Sequence, residues 1–480
     1  MNMMLLNDEK RSELWRQLIV NIENYINNVV DLSVAPAIDL NEIRRRLTSF
    51  DFDKTVQPLD ALQFAADNLR DFQVHTPHPR YFGLFNPAPT AMGIAADALV
   101  AAFNPQLAAW SHNPFASEVE RHIVLAFAER FGYDVANADG TFCSGGAEAN
   151  HTALICALVR KFPDYAQLGL RTLGKQPVFY VSAQSHHSFV KAARFCGLGT
   201  DAAREIKTDA KFKMSVEDLA GQIETDRRNG FAPFFIVATA GTTNGGMIDD
   251  LTAIGKIALE QDLWFHTDAA WGGAAAFVPE MRQLLKGIER ADSITFDAHK
   301  WLSVPMGAGI FLTRHNQILS EACRITTDYM PRDASEFGVN DPFAHSMQWS
   351  RRFIGLKVFL SLAVAGWDGY AEAIRHQTAM GDYLRNELEK NDWETVNETL
   401  LPVVCFRDKK TSIGKTEDFL MKVANEVVAS GKAWISFTRL NAETPVLRAC
   451  ITNYRTMKSD AHFLVRLLND LRDEIVKKRT

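Results

Sequence analysis

Short apolar segments alternate with amphipathic segments through the middle of the chain, from about residue 116 to residue 313. Four of the apolar segments read PVFYVSA, FFIVATAG, LWFHTDAA and AGIFLTR. The segments between them, such as SFVKAARFCG and DLTAIGKIALEQ, have the spacing of helices that bury one face. Near-continuous apolar strands that alternate with helices are typical of a parallel sheet covered on both faces. The pattern therefore predicts an α/β fold with a mainly parallel sheet.

The pattern changes on both sides of this region and divides the chain into three parts. Residues 1–75 read as amphipathic helices, for example SELWRQLIVNIENYI, which cannot bury their apolar faces alone. A proline-rich stretch, HTPHPRYFGLFNPAPT, follows them and favours extended backbone. Near the C-terminus, long helices precede the strand LLPVVCFRD and the hairpin pattern WISFTRLNAETPVLRACITNY. We predict an N-terminal helical dimerisation segment (1–75), a large domain (76–365) and a small α+β domain (366–480).

Composition narrows the class of protein. The 480 residues are 47% hydrophobic and 23% charged, which is ordinary for a globular enzyme, and the net charge of −6 argues against a nucleic-acid partner. No apolar run reaches the ~20 residues that span a membrane, and charged residues begin at Asp8, too early for a signal peptide. The six cysteines contain no C-x-x-C pair, as expected of reduced thiols in the cytoplasm.

Four polar clusters fall at predicted strand ends or helix starts, where α/β proteins bind ligands. SGGAE (144–148) opens a helix and exposes backbone N–H groups suited to an anion, although such a turn is often only a turn. SHHS (185–188) has paired histidines, but no third ligand at a recognisable spacing supports a metal site. HTDAA (266–270) and FDAHKW (296–301) each follow or end a strand, and they contribute Asp268 and Lys300.

Asp268 and Lys300, both at predicted strand ends, indicate what kind of ligand this part of the sheet could bind. A buried aspartate needs a partner, and a helix cap or a salt bridge would satisfy that need as well as a cationic ring nitrogen would. A lysine near a carboxylate and an anion site fits pyridoxal 5′-phosphate (PLP) well. That cofactor is held as a Schiff base to lysine, with an aspartate on its ring nitrogen and its phosphate on a helix N-terminus.

The motifs CSGGAEAN, SHHSFVKAA, ATAGTTNGGMID, HTDAAWGG and ADSITFDAHKWL occur in an order and at a spacing that resemble the group II PLP-dependent amino-acid decarboxylases. That family includes the aromatic amino-acid, glutamate and diaminobutyrate decarboxylases. The resemblance covers roughly residues 75 to 456. It implies a fold-type-I enzyme with a seven-stranded sheet, PLP as cofactor, and decarboxylation of an L-amino acid by a cytoplasmic homodimer.

The resemblance also implies roles for individual residues. Lys300 resembles the Schiff-base lysine, Asp268 the partner of the ring nitrogen, and His186 the residue stacked on the ring. The remaining cofactor contacts implied are Gly146, Ala147, Thr239, Ala270, Ser293 and His299. Many relatives have asparagine at position 297, and Asp297 adds negative charge there, which argues against a direct phosphate contact from its carboxylate.

Two further expectations concern the substrate side. The pocket residues implied by the resemblance are Phe85, Asn86 and, across the subunit boundary, Ala108, a set that is less aromatic than in aromatic amino-acid decarboxylases. Tyr329 resembles the loop tyrosine that protonates the product, although a tyrosine that packs on a surface loop remains an alternative. Transamination or oxidative deamination would use the same cofactor residues, and a non-catalytic regulatory relative is the third alternative.

Overall fold

The computed structural model describes residues 4–325 and 338–478. Its helices are α1 (Asp8–Asn28), α2 (Leu40–Leu47), α3 (Pro58–Asp71), α4 (Ala91–Phe103), α5 (Pro114–Arg130), α6 (Gly146–Lys161), α7 (Tyr165–Leu168), α8 (Ser188–Phe195), α9 (Val216–Arg228), α10 (Leu251–Glu260), α11 (Ile318–Cys323), α12 (Gly355–Lys390), α13 (Glu417–Ala429) and α14 (Lys458–Lys477). Its strands are β1 (Gln106–Leu107), β2 (Asp139–Cys143), β3 (Pro177–Ser182), β4 (Ala203–Ile206), β5 (Ala232–Thr239), β6 (Trp264–Asp268), β7 (Ser293–Asp297), β8 (Gly309–Thr313), β9 (Arg351–Arg352), β10 (Trp393–Thr395), β11 (Val403–Asp408), β12 (Ser436–Leu440) and β13 (Thr444–Cys450).

The large sheet has seven strands in the order β2-β8-β7-β6-β5-β3-β4. Strands β4, β3, β5, β6 and β7 are parallel, which confirms the prediction of a mainly parallel sheet. Strand β8 is antiparallel to both β7 and β2, because only residues 298–308 connect β7 to β8 and so short a connection cannot carry the chain back across the sheet. The crossover from β6 to β7 consists of the short 3-10 segments Gly272–Phe277, Pro279–Leu285 and Ile288–Arg290.

The C-terminal part forms a second sheet. Its four antiparallel strands follow the order β10-β11-β13-β12, and β12 and β13 form the hairpin that the sequence predicts, with Asn441 and Ala442 in the left-handed region at the turn. Helix α12 leads into this sheet and is kinked at Gly366, whose φ of 64° and ψ of 176° lie outside helical values. The predicted boundary between residues 365 and 366 falls at this kink, and the three-part division of the chain stays a prediction.

The N-terminal helices leave apolar surface uncovered. Helix α1 has no buried residue, and Trp15 and Ile19 on it are 54% and 58% exposed. An apolar cavity of about 730 Å³ lies between α1 and α3. Within the described residues, we find no helix that is both long enough and apolar enough to cross a bilayer.

Candidate active site

Four neighbouring parallel strands end at one edge of the large sheet, at Ser182 (β3), Thr239 (β5), Asp268 (β6) and Asp297 (β7). Helix α6 begins beside them at Gly146. A cavity of about 240 Å³ lies at this edge. Eight of the nine predicted cofactor-binding residues line it: Gly146, Ala147, His186, Thr239, Asp268, Ala270, His299 and Lys300.

Asp268 is buried at the end of β6, and both of its carboxylate oxygens accept hydrogen bonds. The side-chain amide of Asn150 donates to Oδ2 at 2.9 Å, and the backbone N–H of Ala270 donates to Oδ1 at 3.1 Å. Donors to a carboxylate favour its ionised form. The two donors therefore fix the direction of a buried carboxyl group that lines the cavity.

Lys300 lies in the turn that follows β7. Its Nζ is 3.0 Å from Oδ2 of Asp297 and 5.9 Å from the centre of the Phe85 ring. Its side chain is 24% exposed, because it points into the cavity. The second oxygen of Asp297, Oδ1, is buried and accepts no hydrogen bond within the described residues. The Lys300 amine thus lies next to a buried carboxylate, Asp297, that has one oxygen without a hydrogen-bond donor among the described residues.

The N-terminus of α6 borders the cavity at Gly146 and Ala147. A Cβ on Gly146 would lie 2.8 Å from Oδ2 of Asp297, so a larger residue at this position would displace that carboxylate. Glu148 in the first turn accepts hydrogen bonds from the backbone and the hydroxyl of Ser144 at 2.8 and 2.6 Å, and Gln348 donates to its other oxygen. These bonds fix the turn whose N–H groups face the cavity.

Two histidines border the cavity, and the protein favours the neutral form of each. His186 is an exposed residue at the cavity, yet the protein packed around its ring removes enough hydration to lower its pKa, while nearby Asp268 raises it. Its Nδ1 accepts the backbone N–H of Ser188 at 3.2 Å. Burial also lowers the pKa of His299, whose Nδ1 accepts the N–H of Ala308.

Ser293 does not reach the cavity, and its expected role as a phosphate contact does not fit the structure. It begins β7, whereas Asp297 ends that strand about 13 Å away at ~3.3 Å per residue. Its fully buried hydroxyl lies 2.8 Å from Nε1 of Trp264 and 2.8 Å from Nδ1 of His266. The sequence identified the right strand but could not tell which end of it faces the ligand.

The predicted substrate-side residues are divided by the fold. Phe85 is buried, stacks on Trp271 at 4.5 Å and lies near Lys300. The amide of Asn86 donates to Sδ of Met306 at 2.7 Å, and Met306 lines the cavity. Ala108 is buried away from this cavity, where its carbonyl accepts the N–H of Phe343. Tyr329 lies outside the described residues.

Sequence reasoning missed three residues that matter to the geometry: Asn150, His266 and Arg448. Asn150 is four residues past Gly146 and so shares its face of α6, and His266 is two residues before Asp268 and so shares its face of β6. Arg448 is a charged residue inside the apolar strand β13, which was the signal that could have found it.

Arg448 is 3% exposed and touches the same ring as Lys300, with its Cζ 4.9 Å from the centre of Phe85. Its Nη1 donates to the carbonyl of Gly83 at 2.8 Å. Its Nε and Nη2 are buried and have no hydrogen-bond partner in the described part of the chain. These two nitrogens form one edge of the guanidinium, the edge that binds a carboxylate through two parallel bonds.

The residues present fit the cofactor that the sequence predicts. PLP needs a carboxylate for its ring nitrogen, an amine for its aldehyde, an anion site for its phosphate and flat or small groups beside its ring. The cavity offers Asp268, Lys300, the start of α6, and the pair His186 and Ala270. Within the described residues, we find no group of three or more His, Cys, Asp or Glu side chains arranged to hold a metal ion.

Comparison with known proteins agrees with this chemistry. The profile of the family described as "Pyridoxal-dependent decarboxylase conserved domain" matches residues 44–409. The chain is 31% identical to an aromatic-L-amino-acid decarboxylase of Bacillus atrophaeus over 476 residues, which are 98% of this chain and 97% of that protein. It is 30% identical to a cysteine sulfinic acid decarboxylase of Rattus norvegicus over 417 residues, or 84% of each chain.

A crystal structure of Oryza sativa TDC with PLP and tryptamine has the same fold. Its TM-score to this chain is 0.91, and the similarity covers 98% of this chain and 99% of that chain. At 24% sequence identity the likeness bears on the fold alone.

Proposed function

The chain belongs to the pyridoxal-dependent decarboxylase family and is a PLP-dependent carboxy-lyase that converts an amino acid to the corresponding amine, and from that premise we propose how its residues divide the work. One observation supports the assignment above the others. Lys300 and Asp268, which are 32 residues apart, line one cavity at the start of a helix. We propose that Lys300 holds the cofactor covalently, Asp268 pairs with its ring nitrogen, and the start of α6 binds its phosphate.

The chemistry divides between the cofactor and the chain. PLP, when bound, supplies the ring that takes up the electron pair left by departing CO₂. Asp268 as a carboxylate would accept the ring N–H and so keep that nitrogen protonated. His186 and Ala270, which line the same cavity, would hold the ring in place.

We propose that Arg448 binds the α-carboxylate of an L-amino acid. The support is its buried edge of two unpartnered nitrogens, together with the position of its guanidinium over the Phe85 ring that Lys300 also contacts. A guanidinium on one side of the reacting carbon would fix the direction in which the carboxylate leaves. His186 would complete this orientation from the cavity side. Protonation of the product carbon by Tyr329 remains a proposal from the sequence.

For the side chain of the substrate, we propose a preference for small or polar groups over indole. Asn86 next to Met306 supports it, because an amide at the cavity rim offers hydrogen bonds and little aromatic surface. The name of the Rattus norvegicus relative, cysteine sulfinic acid decarboxylase, points the same way, whereas that of the Bacillus atrophaeus relative points to aromatic substrates.

We further propose that the enzyme is a cytoplasmic homodimer. The exposed Trp15 and Ile19 on α1, together with the apolar cavity beside that helix, support burial against a second subunit. The six cysteines, all within the described residues, form no disulfide, as suits a reducing compartment.

Two measurements test the proposal. Borohydride reduction of the PLP-loaded protein should attach the cofactor to the peptide that contains Lys300, and Lys300→Ala should show neither label nor amine product. Label on another lysine would overturn the assignment. Products separate the alternatives, since decarboxylation yields CO₂ and amine, transamination a keto acid, and oxidative deamination a carbonyl compound with ammonia.

A panel of cysteine sulfinate, L-glutamate, L-aspartate, 2,4-diaminobutyrate, ornithine, L-DOPA and 5-hydroxytryptophan tests the substrate. We expect the highest kcat/KM for an acidic or diamino substrate. A value for L-DOPA or 5-hydroxytryptophan well above all the others would contradict the proposed preference.

A further inference from the structure

A chain of hydrogen bonds leads from the interior of the large domain to Asp268. Nε1 of Trp264 donates to the hydroxyl of Ser293 at 2.8 Å, and that hydroxyl lies 2.8 Å from Nδ1 of His266. Nε2 of His266 is 3.3 Å from Oδ1 of Asn150, whose Nδ2 donates to Asp268 at 2.9 Å. All five side chains are at least 94% buried.

The donor and the acceptor of each bond in this chain can be assigned, and every hydrogen bond then points the same way along it. An ionised carboxylate can only accept, so Asp268 faces Nδ2 of Asn150, and Oδ1 of that amide faces His266. At the other end, the hydroxyl of Ser293 accepts from the indole N–H of Trp264 and keeps its own hydrogen for Nδ1 of His266. A neutral imidazole with an accepting Nδ1 carries its hydrogen on Nε2 and donates to Oδ1 of Asn150. The amide of Asn150 then presents Nδ2, not Oδ1, to Asp268.

The charge of His266 is consistent with this direction. Burial lowers the pKa of the imidazole to about 4, although Asp268 acts in the opposite sense. The ring is therefore neutral at physiological pH. The tautomer with its hydrogen on Nε2 suits Ser293 and Asn150, and it also suits the hydroxyl oxygen of Thr295, which lies 3.4 Å from Nε2.

Asn150 also connects Asp268 to the opposite wall of the cavity. The second hydrogen of its amide donates to the hydroxyl of Ser188 at 2.9 Å. The backbone N–H of Ser188 donates in turn to Nδ1 of His186. One buried amide thus orients the carboxylate on one side of the cavity and is linked to the histidine on the other side.

We propose that Asn150 and His266 are positioning residues that keep Asp268 ionised and aimed at the cofactor's ring nitrogen. The inference rests on the proposed function of Asp268. A buried carboxylate without donors tends to take up a proton, and a protonated Asp268 could not accept the ring N–H. Ser293, which the sequence suggested as a phosphate contact, acts in this proposal at the far end of the chain that fixes the tautomer of His266.

The experiment compares two probes on the full-length apoenzyme: PLP, and 1-deazapyridoxal 5′-phosphate, which carries C–H in place of the ring nitrogen. Dissociation constants are measured by absorbance titration, and the affinity ratio of PLP over the deaza analogue reports the ring-nitrogen contact. We expect Asn150→Ala and His266→Phe to lower this ratio about tenfold or more, the size of one hydrogen bond to a charged group. His266→Gln should restore most of it, because the glutamine amide can donate to Asn150 through its NH₂ group and accept from Ser293 through its carbonyl oxygen.

Thr267→Val is the matched control. It removes a buried hydroxyl from the same strand, and that hydroxyl has no hydrogen-bond partner in the described part of the chain. We expect it to keep the wild-type ratio. Circular dichroism melting of each variant establishes that it is folded, and His266→Gln keeps the test available if His266→Phe does not fold.

Asp268→Asn tests the proposed function of Asp268 separately from the positioning role of Asn150 and His266. If it lowers the ratio while folded Asn150→Ala and His266→Phe leave the ratio within threefold of wild type, the positioning role is wrong and the role of Asp268 stands. If Asp268→Asn also keeps the ratio, the proposed function of Asp268 itself is wrong. Equal loss of affinity for both probes in Asn150→Ala would mean that the residue serves only to maintain the structure.

Discussion

Replacement of Arg448 by methionine tests whether this buried guanidinium recognises the substrate carboxylate. Methionine keeps an unbranched chain of similar length and removes the charge. We expect kcat/KM for decarboxylation to fall about 10² to 10³-fold, while the affinity for the product amine, which lacks the carboxylate, changes less than about threefold.

The magnitude follows from the free edge of the side chain. Nη1 is already used by the carbonyl of Gly83, whereas Nε and Nη2 are free to make two charge-assisted bonds. Such bonds contribute ~1.5–3 kcal/mol each, and two that share one rigid group give ~3–4 kcal/mol, or about 10² to 10³-fold. The free energy of unfolding should decrease by less than this. The substitution leaves the carbonyl of Gly83 without its donor, but it also removes a buried charge that is only partly paired.

The assay measures initial rates for the best substrate of the panel, and the inhibition constant of its amine, in wild type and variant. Ser436→Ala is the matched control, since it removes a hydroxyl that lies 3.5 Å from Nη1, on the side already occupied. Arg448→Lys should recover part of the rate, because it restores charge without the two-bond edge. An equal loss for substrate and amine would refute carboxylate recognition by Arg448.

Three further predictions concern the other walls of the site and its buried histidine. His186→Ala should lose more kcat than His187→Ala, because only His186 lines the cavity, and steady-state kinetics showing the reverse order would contradict this geometry. Tyr329→Phe should keep cofactor binding but lower amine production by ~10² or more if a general acid is lost, and normal amine output would assign the proton to another donor. The pKa of His266 is lowered from 6.5 in the unfolded chain to about 4 in the folded protein. Between these pH values the unfolded state binds one proton that the folded state does not, so the free energy of unfolding decreases as the pH falls from 6.5 to 4. From pH 7 to pH 5, urea unfolding of wild type should lose about 2 kcal/mol more than that of His266→Gln, and equal losses would contradict the assignment.

The fold was predictable where local pattern decides it. Strands such as β5 and β6 are apolar runs between helices, and their hydrophobic period alone fixes their type. The direction of β8 was not predictable in this way, because it depends on how a short connection turns between two neighbouring strands. The kink at Gly366 also depends on packing that no local period records.

The site divides along a similar line. Residues that end a strand or begin a helix, such as Asp268 and Gly146, could be predicted because those positions meet at one edge of a parallel sheet. Ser293 was misassigned because motif order gives the strand but not the distance along it. Arg448 could not be placed, because its contact with Phe85 joins two segments more than 350 residues apart.

The buried polar groups of this enzyme have one physical requirement in common, which is that each charge meets a donor or acceptor of fixed direction. Asp268 satisfies it through Asn150, and Asn150 through the neutral ring of His266. Arg448 and Asp297 do not satisfy it, since each retains buried nitrogen or oxygen atoms without a partner in the described part of the chain.

Other buried atoms without a partner, such as Nε of Arg385 and Nη1 of Arg351, lie elsewhere in the described residues, so an unsatisfied group alone does not mark a binding site. Arg448 and Asp297 differ from these because both lie beside Lys300: Oδ2 of Asp297 is 3.0 Å from its Nζ, and Arg448 packs on the Phe85 ring that Lys300 also contacts. A carboxylate bound beside Lys300 would complete the free edge of Arg448, and this position, not the missing partners by themselves, assigns Arg448 to the substrate.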